Sequence, residues 1–228
     1  MAVVFWLLWL VFAFFASQFM VAGLLSLLPV GLSSENTLLL TVAQAAIYVI
    51  MLAIGVGVPY LFKHKIKLPK LRELLAVDRR PKLADLWGGA KYLLIYYGIL
   101  FAVMVPLVLW LPDVMKEQQS LDFSTTGNAP WQLILIFVSL VIIAPLAEEL
   151  MMRGLLFGRL RAKLSFWPTA LLVSVVFAVA HWQINVSIDT FILSMVACYA
   201  REKTDTIYSS VLIHTIKNGL AFGLLFLT

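Results

Sequence analysis

Cysteine is nearly absent. Cys198 stands alone among 228 residues, so no internal disulfide can brace the fold. There is no CxxC pair and no HExxH, the spacings that most often mark zinc sites. Charge is scarce as well: Asp, Glu, Lys and Arg make up 13% of the chain. No internal repeat and no low-complexity tail interrupts it. The opening MAVVFWLLWL has no basic n-region, and its apolar stretch runs to about residue 31. It reads as a retained spanning helix and not as a cleaved signal peptide.

Apolar sequence fills the space these absences leave. Hydrophobic residues account for 62% of the chain, where a soluble domain is nearer half. The expected fold class is therefore all-α, a polytopic transmembrane helix bundle. Runs long enough to cross about 30 Å of hydrocarbon at roughly 1.5 Å per residue fall at 2–31, 37–62, 91–112, 131–152, 167–182, 187–200 and 206–227, which makes about seven spans. The loop at 63–91 holds nine basic residues, Lys63, Lys65, Lys67, Lys70, Arg72, Arg79, Arg80, Lys82 and Lys91. The loop at 113–130 holds only Lys116, and its Ser124, Thr125, Thr126, Gly127 and Asn128 read as an exposed turn. Basic residues return at Arg153, Arg159, Arg161 and Lys163, and again at Arg201 and Lys203. High and low counts alternate, so the positive-inside rule places 63–91, 153–166 and 201–205 in the cytoplasm and the N-terminus outside. The net charge of +5 is then the charge of inner loops facing membrane lipids, and nucleic acid is not an expected partner. Leu68, Leu71, Leu74 and Leu75 recur at helical spacing between basic residues, the pattern of an amphipathic helix on anionic headgroups; a docking surface is the other reading. Trp6, Trp9, Trp110 and Trp131 suit interfacial anchoring.

Against this background three polar clusters stand out. Glu148, Glu149 and Arg153 lie in APLAEELMMRG, His181 ends SVVFAVAH, and His214 and Asn218 lie in VLIHTIKNG. Ionisable groups inside hydrocarbon cost several kcal/mol unless they pair or line a wet cavity, so they mark a functional site by default. Taken singly, a buried histidine is usually a hydrogen-bonded packing residue. Helical spacing sorts the set. Glu149 and Arg153 are four apart and share a face, as an ion pair requires. Glu148 is rotated about 100° away and is left to face a cavity. Phe177 and His181 share a face, as do His214 and Asn218. Pro145 cannot donate a backbone hydrogen bond and would kink the helix beside Glu148. Lys217 has no assigned role, and Asp189, near the outer end of the sixth span, is expected to be solvated. Counted from the inner face, Glu148 is about five residues deep, His214 about eight and His181 about fourteen. At roughly 1.5 Å per residue that sets His181 about 9–14 Å beyond the others.

The ordered triple EExxxR, FxxxH and HxxxN resembles the CPBP family, which includes the CAAX prenyl endopeptidases of the Rce1 type and the bacterial Abi proteins. The resemblance covers about residues 130–225. It divides the chain into an N-terminal membrane region, 1–129, and a catalytic core, 130–226. It implies a metal-independent intramembrane glutamic endopeptidase without cofactor, its active site in an intramembrane cavity. Glu148 and His181 would activate water, His214 and Asn218 would stabilise the oxyanion, and Glu149, Arg153 and Phe177 would support them. The substrate would be a peptide or a lipidated protein, and the location a prokaryotic cell membrane. Where family members often carry glycines and a Thr-Gly before the third motif, this chain has Ser194, Ala197 and Thr204-Asp205. Two other functions stay open. One is a non-catalytic scaffold or bacteriocin self-immunity protein of the same family. The other is a zinc protease with Glu148, His181 and His214 as ligands.

Overall fold

The computed structural model describes residues 2–27, 36–63, 68–115, 123–125 and 127–227. Lys65, Lys67, Lys116, Thr126 and residues 28–31 of the first expected span lie outside the described residues. Every regular element among the described residues is helical. Apart from the single turn Pro112–Met115, they are in chain order α1 (Ala2–Leu25), α2 (Thr37–Leu61), α3 (Leu68–Leu74), α4 (Leu83–Trp110), α5 (Pro130–Arg161), α6 (Phe166–Val179), α7 (Ile184–Thr204) and α8 (Tyr208–Phe226).

Five of these, α1, α2, α4, α5 and α8, are long and apolar enough to cross a bilayer. Large apolar side chains such as Phe19, Leu94 and Leu109 are exposed along them, a surface that suits lipid and not water. The protein is an integral, polytopic membrane protein. Two of the seven expected spans differ. α6 has only 14 residues and reaches about 21 Å, short of the hydrocarbon thickness. α7 has 21 residues but carries Asn185, Ser187, Asp189, Thr190 and Ser194, too many polar groups for a lipid-facing span. Boundaries shift too. α4 begins eight residues before the expected start at 91 because Asp85 accepts the backbone N–H of Lys82 at 2.7 Å, capping the first turn. α5 runs nine residues past the expected end at 152.

The chain forms two compact units. The first comprises Met1–Leu71, Leu121–Met151 and Thr215–Thr228. In it α1 packs on α2, and Trp9 Nε1 donates to the carbonyl of Gly55 at 3.1 Å. Polar groups step along α2 and the first half of α5 in the same order. Gln132 Nε2 donates to Thr37 Oγ1 at 3.1 Å, Ser139 Oγ donates to Gln44 Oε1, and Tyr48 donates to Glu148 at 2.8 Å. Because both numbers rise together, these two helices run parallel.

The second unit comprises Arg72–Ser120 and Met152–His214. Its core joins Tyr92 and Tyr96 of α4 to Ile192, Leu193, Val196 and Ala200 of α7 and Ile213 of α8. α6 and α7 form a tight hairpin. Its turn holds Trp182 at φ +60°, and Ser187 Oγ donates to the Ala178 carbonyl at 2.9 Å. At the end of α7, Asp205 takes the left-handed cap conformation, φ +55°. Glycine fills such a position without steric cost, so the departure from Thr-Gly leaves a strained cap. Ser194 and Ala197 are fully buried, small enough to keep helices close where glycines were expected.

One expectation on this unit needs correction. Asp189 is not solvated: it is half-buried and accepts a hydrogen bond from Tyr96. The backbone at the end of the leucine run is seated on protein. A Cβ built on Gly154 would meet the Leu75 carbonyl oxygen at 2.9 Å, and Ile207 N–H donates to the carbonyl of Ala76, itself buried, at 3.2 Å. The following segment is tied down by Arg79, whose guanidinium donates to both oxygens of Asp85 at 2.6 and 2.7 Å. That hydrogen-bonded pair holds Arg79 above its ordinary pKa. Tyr208 donates to the Arg79 carbonyl.

Candidate active site

Glu148 sits on a stretch of α5 that is not regular. Val138–Ile143 and Leu150–Leu156 are both π-helical, and the short α-helical turn Ala144–Glu149 separates them. Such widened turns recur at functional sites. Glu148 is half-buried, and its Oε1 accepts the hydrogen bond from Tyr48 Oη at 2.8 Å. Glu149 and Arg153 are both completely buried.

Pro145 leaves one backbone carbonyl without its helical donor. In the first π stretch the N–H of Ala144 reaches back five residues to the Ser139 carbonyl. In that register the next carbonyl, Leu140, would take its hydrogen from residue 145, and proline has none. Asn218 Nδ2 supplies the donor, at 2.9 Å from the Leu140 oxygen. One amide hydrogen of Asn218 is thereby committed to the backbone. The amide has a second hydrogen, and the first bond restricts where it points.

In the second unit the site residues gather on one ring. Phe177 is 2% exposed. His181 lies against it edge-on, with centroids 5.0 Å apart, and His214 does the same at 5.9 Å. The Arg153 guanidinium stands 5.0 Å from the ring centroid, a cation–π contact. His181 itself lies two residues past the last residue of α6, in the turn toward α7. Its Nδ1 lies 2.8 Å from the Phe177 carbonyl oxygen. A carbonyl only accepts, so Nδ1 carries the proton and Nε2 of the neutral ring is the basic nitrogen. His214 is 3% exposed and shares one face of α8 with Asn218 by its spacing of four.

The sequence reading passed over Tyr48 and Gln44. A signal was available: Thr37, Thr41, Gln44 and Tyr48 follow one another at spacings of four, three and four, a single polar stripe on an otherwise apolar helix. Among the described residues, no three His, Cys, Asp or Glu side chains form a set that could hold a metal ion. Lys217 is half-buried.

Residues 130–220 match the family model described as type II CAAX prenyl endopeptidase, Rce1-like. Over this region the chain is similar to the Rce1-like family. The matched segment takes in α5, α6, α7 and α8 as far as residue 220, and with them Glu148, Glu149, Arg153, Phe177, His181, His214 and Asn218. The Rce1-like segment leaves α1 to α4, and therefore Tyr48, outside it. No curated protein and no solved structure matches the chain.

Proposed function

We propose that the protein is a metal-independent intramembrane endopeptidase of the CAAX type, with residues 130–226 as its catalytic core. Water attacks the scissile carbonyl carbon and gives a proton to Glu148, with His181 Nε2 orienting the water. His214 and the second amide hydrogen of Asn218 stabilise the tetrahedral oxyanion. Its collapse breaks the C–N bond, and Glu148 returns the proton to the leaving amine. Fixed donors aimed at a developing oxyanion contribute about 3–4 kcal/mol each, and positioned proton transfer about 10²- to 10⁴-fold. The observation that carries the reading is His181. Its Nδ1 is bound to a backbone carbonyl, so its free-base nitrogen is Nε2, and it sits within the segment that matches a peptidase family.

The substrate proposed is a peptide bond near the C-terminus of a lipidated protein or in a membrane-bound peptide, with the basic loops 63–91, 153–166 and 201–205 on the cytoplasmic side. The test is cleavage of a farnesylated CaaX peptide and its unlipidated counterpart by purified protein, with Glu148→Ala as the control. Cleavage by wild type and none by the variant supports the reading. A biological phenotype that survives Glu148→Gln would establish the scaffold or self-immunity reading in its place, and loss of cleavage in strong chelator would establish the zinc reading.

A further inference from the structure

We infer that Tyr48 is a positioning residue for Glu148, supplied by α2 from outside the Rce1-like segment. The three polar contacts between α2 and α5 are chemically unequal. Thr37 with Gln132 and Gln44 with Ser139 join neutral hydroxyls and amides. Such groups suffice to bind helices together where lipid offers no hydrogen bonds. The third contact ends on an ionisable group: Tyr48 Oη donates to Glu148 Oε1 at 2.8 Å. A phenol donating to a carboxylate is a charge-assisted bond, about twice as strong as a neutral one. It restrains the rotation of the carboxyl group that the peptidase reading makes the proton acceptor. The α-helical turn carrying Glu148 is only six residues long and is flanked by two π stretches, so its backbone holds the side chain less firmly than an unbroken α-helix would. A tyrosine on the facing helix restores the orientation from outside.

The kinetic arm rests on the peptidase reading; the spectroscopic arm does not. With the full chain in nanodiscs and a farnesylated quenched-fluorescence peptide, Tyr48→Phe keeps the ring and removes only the hydroxyl. We expect kcat to fall about ten- to a hundredfold, with KM within about twofold. Thr37→Val breaks a neutral contact far along the same stripe and should lower the melting temperature while leaving kcat unchanged. The infrared carboxylate band that is present in wild type and absent in Glu148→Gln should move in Tyr48→Phe and stay in place in Thr37→Val. 3-Fluorotyrosine at position 48 keeps the hydroxyl but strengthens it as a donor, and should move the same band even if Tyr48→Phe folds poorly. If wild type leaves the peptide uncut, the peptidase reading falls and the infrared arm decides this inference by itself. An unmoved Glu148 band, or an unchanged kcat for Tyr48→Phe in an enzyme that cleaves, overturns it.

Discussion

Glu148 and His181 are held in opposite ways. The imidazole is fixed by its own stretch of chain, through the carbonyl and ring of Phe177 four residues earlier. The carboxylate is fixed by Tyr48, a hundred residues away in sequence. One geometry needs only a helix end; the other needs two helices in register. Locally held groups survive changes elsewhere in the fold, whereas the orientation of a remotely held group depends on the one side chain that a second helix brings to it.

The largest test of that contrast removes each group in turn. Glu148→Ala and His181→Ala should each lower cleavage by about 10³-fold or more while the protein still purifies as a folded monodisperse species. Activity within tenfold of wild type in either would dissolve the pairing of roles. Next comes the local support. Phe177→Ala should cost about 3–5 kcal/mol of stability, as for other buried aromatic truncations, and loosen His181 and His214 together. Thermal unfolding in detergent reads the first effect and kcat the second. Gly154→Ala comes third, at about 1–3 kcal/mol, because the new methyl meets the backbone of Leu75 and not a side chain that can swing away; a variant as stable as wild type would mean that the segment around Leu75 yields. Pro145→Ala sharpens the contrast on the Asn218 side. It restores an N–H that can compete for the Leu140 carbonyl, so kcat should fall several-fold, up to about tenfold for a lost hydrogen bond of about 1.4 kcal/mol. The smallest change is Asp205→Gly, which relieves a left-handed cap and should stabilise the protein by about 1 kcal/mol.

Legibility followed the same division. The motif residues, their helices and the contact of Phe177 with His181 could be read from spacing, because residues four apart on a helix meet wherever the helix goes. The arrival of His214 at the same ring could not, since it depends on how α8 packs. The length of α6 was overestimated because an apolar run continues past the point where the backbone leaves the helix at Ala180. Asp189 was misplaced because its partner, Tyr96, is ninety-three residues away. Pro145 was correctly marked as a missing donor, but which carbonyl it frees depends on whether the turn is α or π, and spacing alone carries no sign of the wider turn.

By itself, the sequence determined that this chain lives in a membrane as a helical bundle, and it set six polar side chains, Glu148, Glu149, Arg153, His181, His214 and Asn218, apart as a candidate site. Lipid excludes uncompensated charge, so composition and position were enough for both. Only the tertiary structure decided what steadies those side chains: Tyr48 on Glu148, the Leu140 carbonyl on Asn218, and one buried ring beneath Arg153, His181 and His214. Such partners come together when helices distant in sequence pack, and local spacing holds no record of that packing.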